Sequence, residues 1–185
     1  MTENRLVQWI ATGEAPRDVF RIIAAEESRI VPSDQRSFLY LAARAEKAAE
    51  REFFAGLASG EGIALEKLQA LVEATGAGGH YEPLSGCQTY PSFMAWMALN
   101  ATPADVIVAL NANFAAFGGY CATIAKAMRE HYGFDDEACG FFDFFATPAE
   151  EVASSNKVSP EAKTYTRLFH DYELQFWNTI ADAVK

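Results

Sequence analysis

The chain of 185 residues carries 25 acids against 15 bases, a net charge of −10, with 50% hydrophobic and 22% charged residues. That composition folds rather than staying disordered, and the length suits a single domain spanning 1–185. The negative field repels phosphate backbones and anionic lipid headgroups, which argues against direct nucleic-acid binding and against a membrane partner.

The opening stretch MTENRLVQWIATGEAP has neither the cationic start nor the apolar core of a signal peptide. No stretch approaches ~18 uninterrupted apolar residues. A cytoplasmic location is the expectation. Cys87, Cys121 and Cys139 are odd in number, widely spaced and never in a CxxC arrangement, so they are expected as reduced thiols rather than a disulfide framework or a zinc site.

In chain order, the pattern predicts helices at about 4–11, 17–30, 34–58, 63–76, 89–100, 104–130, 136–146 and 160–184, with a short one after 147. Thr102-Pro103, Thr147-Pro148 and Ser159-Pro160 each set a capping hydroxyl before a proline at a helix start. Glycines and prolines at 60–62 and 76–86 read as breaks, and 77–88 as the longest irregular connection, able to form a lid. No run has the two-residue period of a strand. The expected fold is therefore an all-α bundle with mainly antiparallel neighbours.

The strongest periodicity joins Ile107, Leu110, Phe114, Phe117, Cys121, Ile124 and Met128 into one buried stripe. Gly118 and Gly119 interrupt it, which implies that a neighbouring helix or a ligand approaches the backbone, helix packing being the simpler cause. On the last helix, Glu173 lies on a face with Trp177, beside the stripe of Tyr165, Phe169, Tyr172, Phe176 and Ile180. Of the neighbouring acids Glu26 and Glu27, one is expected to face inward and the other water. With 14 Phe, 7 Tyr and 3 Trp in the chain, some aromatics are expected to line a pocket.

Three segments carry a resemblance. Gly13-Glu14-Ala15-Pro16, then Phe20, then Glu26-Glu27 resembles the opening G-x-L-P-x-x-x-F-x-x-Y-L-x-Q-D of the TenA/thiaminase-II family, with Glu27 where that family has its Asp. Glu173-Leu174-Gln175-Phe176-Trp177 resembles the family's terminal E-x-x-F-W, whose Glu is a catalytic acid/base. Thr89-Tyr90 resembles the entry to a helix bearing an active-site Tyr. The resemblance implies a haem-oxygenase-like, TenA-like helical bundle around a small aromatic-walled pocket, without cofactor, in a homo-oligomer (dimer or tetramer). It further implies a small-molecule ligand connected with thiamin metabolism, an aminopyrimidine or thiamin, hydrolysed at a C–N bond through a Cys nucleophile.

The central helix departs from that pattern. Phe117 stands where the nucleophilic Cys belongs, Cys121 where a following Tyr belongs, and Phe145 where a further pocket Tyr belongs. The candidate catalytic residues are therefore Glu173 and, as a displaced nucleophile one turn away, Cys121. Candidate substrate-binding residues are Glu27, Tyr90, Phe117, Tyr120, Phe145 and Trp177. Two alternatives stand beside the hydrolase. One is a non-haem di-iron oxidase of the same fold using Glu27, His170 and Glu173, since His170 and Glu173 have the i, i+3 spacing of such sites while His80 and His131 fall in or beside loops. The other is a non-catalytic ligand-binding or indirect regulatory protein.

Overall fold

In the computed structural model the described residues, 3–147 and 158–184, are helical apart from turns and connections, with no strand among them. The helices are α1 (Arg5–Ala11), α2 (Asp18–Arg44), α3 (Ala48–Thr75), α4 (Thr89–Asn100), α5 (Pro103–Tyr132), α6 (Asp136–Ala146) and α7 (Ala162–Ala183).

Local chemistry fixes several ends. Asn4 caps α1 by accepting from Val7 N at 3.1 Å, and Asp135 caps α6 by accepting from Ala138 N at 2.9 Å. The Thr102 cap on α5 is formed as the Thr-Pro pair predicts, and α5 stops at Gly133 with φ 66°. Ser159 accepts from Glu161 N while giving its own N–H and hydroxyl to Asp105, which ties the start of α7 to that of α5. The Thr147-Pro148 start and the short helix after it lie outside the described residues.

Two expected boundaries move. Pro32 does not divide 17–30 from 34–58 but sits inside α2, and Gly60 and Gly62 sit inside α3. Proline removes one ladder bond and each glycine lowers helix propensity, yet burial of the surrounding face outweighs both. Gly62 also has a packing reason, because a Cβ there would press on Gln35 Nε2 at 3.3 Å. The break falls instead at 45–47, turning α2 back along α3.

Helix α5 packs on α1, α6 and α7. By length and composition it is apolar enough to cross a membrane. Gly118 is explained by helix packing, since a Cβ there would meet the Phe145 carbonyl oxygen at 3.1 Å, whereas Gly119 faces open space. Arg129 pairs with Asp136 and Asp143, fastening α5 to α6, and Arg5 pairs with Asp182, fastening α1 to α7.

The core falls into two clusters. One gathers Phe20, Phe141, Phe142, Cys121 and Trp177; the other gathers Phe38, Phe54, Met94, Met97 and Phe169. Tyr90 packs against both. All three cysteines are buried and unpaired.

Candidate functional site

Where the two cores meet, the packing is incomplete. A hollow of about 590 Å³, counting its opening, leaves about 50 Å³ in which the centre of a water molecule can lie. A single buried water needs only ~10–15 Å³ on that measure, so the space exceeds a packing defect.

Helical spacing delivers the wall. From α2 come Glu27, Ile30, Val31, Asp34 and Phe38, a single inward stripe at steps of three and four. Helix α5 adds Asn113, Phe114 and Phe117, and α7 adds Glu173, Phe176 and Trp177 at the same steps. Glu61 from α3, Tyr90 from α4 and Phe145 from α6 complete it. Four carboxyls and the Asn113 amide thus face a space otherwise walled by rings and aliphatics, and among the described residues no Lys, Arg or His lines it.

Glu173 is held in place. Asn113 Nδ2 donates to its Oε2, and Trp177 Nε1, one turn along, donates to Oε1 at 3.4 Å. Burial pushes its carboxyl up to about 7, while the hydrogen bonds from Trp177 and Asn113 pull the other way. Glu27 is pushed up to about 8, mainly by burial and then by the negative charge of Asp34, Glu26 and Glu173. Burial alone raises Asp34 to about 8, and its Oδ1 is buried without a hydrogen-bond partner. Glu61 is raised by burial and by Asp34 and Glu27, and the Tyr90 hydroxyl by burial and all four carboxyls.

Six of the eight candidates named from sequence converge here: Glu27, Tyr90, Phe117, Phe145, Glu173 and Trp177. Phe117 meets Phe145 edge-on at 5.2 Å and lies tilted against Trp177 at 6.4 Å. Two candidates are not among the lining residues. Tyr120 is partly exposed behind Trp177, its ring edge-on at 6.2 Å. Cys121 is fully buried in the core, where burial and the charges of Glu27 and Glu173 push its thiol well above its ordinary value. That is the reverse of what activates a nucleophilic thiol.

Other expectations change as well. Glu26 does not face water: it is fully buried, accepting from Tyr81 OH at 2.8 Å, Leu84 N at 2.7 Å and Gln88 Nε2 at 2.7 Å. The 77–88 connection is thereby pinned to α2, and none of its residues lines the hollow. Cys87, fully buried at its end, donates toward the Phe176 carbonyl. His170 is half-buried on α7 and does not line the hollow either. Among the described residues no three His, Cys, Asp or Glu side chains converge as a metal ion would require, so Glu27, His170 and Glu173 form no metal cluster.

Asp34, Glu61 and Asn113 were absent from the sequence candidates. Asp34 and Glu61 were hidden by the misplaced boundaries at Pro32 and Gly60-Glu61-Gly62. Asn113 had a visible signal, a lone amide one turn before Phe117 on an apolar stripe.

No family model matches the sequence, and no curated protein matches it. Solved structures do. A TenA homologue from Pyrococcus horikoshii OT3 superposes with a TM-score of 0.71 at 17% identity, covering 96% of this chain and 89% of that one. A domain of unknown function with a haem oxygenase-like fold from Shewanella denitrificans OS217 gives 0.74 at 13% identity, covering 97% and 83%. A TenA homologue from Pyrococcus furiosus gives 0.69 at 15% identity, covering 95% and 90%. Low identity over nearly the whole length is a likeness of architecture, and the chain has the all-α, haem-oxygenase-like fold of these TenA homologues.

Proposed function

We propose that the protein is a hydrolase of a C–N bond in a small heteroaromatic amine of the aminopyrimidine or thiamin type, with Glu173 as acid/base. One observation carries this reading. Glu173 is buried, aimed into an aromatic-walled hollow and oriented by Asn113 and Trp177, with a carboxyl near 7. A group poised there can take a proton and return it at neutral pH.

In this reading the flat ring lies among Phe117, Phe145 and Trp177, and Glu27 accepts a ring or exocyclic N–H. Water adds to the carbon bearing the leaving nitrogen and the C–N bond breaks. The proton that water loses passes to the Glu173 carboxylate. With an amine leaving group it goes on to the departing nitrogen, giving an alcohol and an amine, whereas with thiamin the thiazolium nitrogen leaves with the bonding pair as neutral thiazole and the proton is released to solvent. No thiol lines the hollow, so direct attack by water is favoured over a covalent cysteine intermediate.

The test is hydrolysis of an aminopyrimidine and of thiamin by the wild type and by Glu173→Gln. Turnover by the wild type that drops by at least ~100-fold in the variant supports the reading, in line with removal of a general acid/base. Full activity in the variant removes Glu173 from the mechanism. The same missing thiol also favours a second reading, a binding protein without chemistry, whose mark is a ligand that co-purifies and stays unchanged on incubation.

A further inference from the structure

The acid/base reading uses Glu173 and Glu27 and leaves two carboxyls of the same hollow unexplained. Asp34 is seven residues beyond Glu27 on the inward stripe of α2, two turns and about 10 Å further along the axis. It is 4% exposed, and its Oδ1 has no hydrogen-bond partner. Glu61 enters the hollow from α3, between Gly60 and Gly62. A buried carboxyl oxygen without a donor is costly to keep, so such groups are normally matched by a ligand or removed. What is missing is a donor, and among the described residues no cationic side chain lines the hollow to supply one.

We propose that Asp34 and Glu61 form a second acceptor subsite, which binds an ammonium or amidinium group on the ligand distinct from the nitrogen that meets Glu27 and Glu173. The ligand class is then a flat aromatic compound carrying two cationic nitrogen groups. The proposal rests on the hollow being the small-molecule site argued above, and it adds the dicationic character. An organic cation fits better than a metal ion for two reasons. Among the described residues no three ligating side chains converge, and the rings of Phe38 and Phe114 line the same hollow, where an aromatic ring can further stabilise a desolvated ammonium.

The experiment is calorimetric titration of the full-length protein at pH 8 with 1,4-bis(aminomethyl)benzene, benzylamine, benzyl alcohol and magnesium chloride. The diamine is expected to bind at least ~10-fold more tightly than benzylamine, the advantage of one charge-assisted contact in a buried site. Asp34→Asn and Glu61→Gln should each erase most of that advantage and leave benzylamine affinity unchanged. Glu61 is only partly buried, so its variant stands as the check should Asp34→Asn fold poorly.

Equal affinity for the two amines, an advantage that survives in both variants, or binding of magnesium but of neither amine overturns the proposal. Failure of the hydrolase reading looks different. In that case no C–N bond is cleaved and Glu173→Gln changes nothing in turnover, while the diamine preference and its loss in the two variants persist.

Discussion

Adjacent on α2 and both buried, Glu26 takes three donors from the 81–88 stretch while Glu27 turns into the hollow among other carboxyls. Successive helical residues point about 100° apart, so one peptide step separates a structural acid from a functional candidate. Glu26 joins the connection before α4 to α2, and Gly86 lets that connection reach α7. A Cβ at Gly86 would collide with Thr179 Oγ1.

Glu26→Gln should therefore loosen the connection. The amide replaces an acceptor of three bonds by one that can accept only on its carbonyl side, at a cost of about 3 kcal/mol. Amide hydrogen exchange across 80–88 should accelerate by far more than exchange in α5 or α6. Unchanged protection there would show that the three bonds do not hold the segment.

Stability should fall as the solution becomes alkaline. Glu27 and Asp34 are each raised to about 8 in the fold, so the native state binds protons that the unfolded chain has already released. Their contribution is complete below the ordinary carboxyl range and is lost as pH climbs through 8. Glu26, Glu61 and Glu173 add negative charge on the same side. At up to about 1.4 kcal/mol per pH unit for each group, the pair sets an upper bound of about 8 kcal/mol on the loss between pH 5 and 8, and a fall of several kcal/mol from pH 5 to 8.5 is expected. Thermal melts at the two pH values check this, and Asp34→Asn should flatten the difference.

The hydrogen bonds on Glu173 favour its ionised form. Trp177→Phe keeps the ring and removes the Nε1 donor, so the Glu173 carboxyl should titrate at a higher pH than in the wild type. Carbon-13 NMR of labelled glutamate carboxyls reads this directly, and a fall in the titration midpoint would contradict the stated role of Trp177.

The two adjacent glycines of α5 should respond in opposite directions to alanine. Gly118→Ala sets a methyl against the Phe145 carbonyl at 3.1 Å and should destabilise by about 1–2 kcal/mol. Gly119→Ala meets nothing and should stabilise by about 0.5–1 kcal/mol through helix propensity. Denaturant midpoints of the two variants decide it.

The helical class and the inward faces of α5 and α7 were legible because apolar periodicity is written directly in the sequence, and the cap at Thr102 marks where α5 begins. Convergence of Glu27 with Glu173 was legible only through the motif resemblance, since nothing local says that α2 and α7 face each other. Asp34 and Glu61 were lost for a physical reason. Pro32 and the Gly60/Gly62 pair are breakers by propensity, and only the packing of α2 on α3 keeps both helices running past them. Cys121 shows the opposite limit, where the stripe was rightly read as buried but its periodicity could not say that Cys121 sits in the packed core rather than on the wall of the hollow.

The unpartnered oxygen of Asp34 also bears on how this chain has been shaped. Leucine is similar in outline and would raise durability at that position, since it brings no charge to desolvate. A protein selected for robustness alone would carry it. Keeping an acid there leaves the fold weaker than its architecture permits, the trade commonly made where a surface must receive something rather than merely pack.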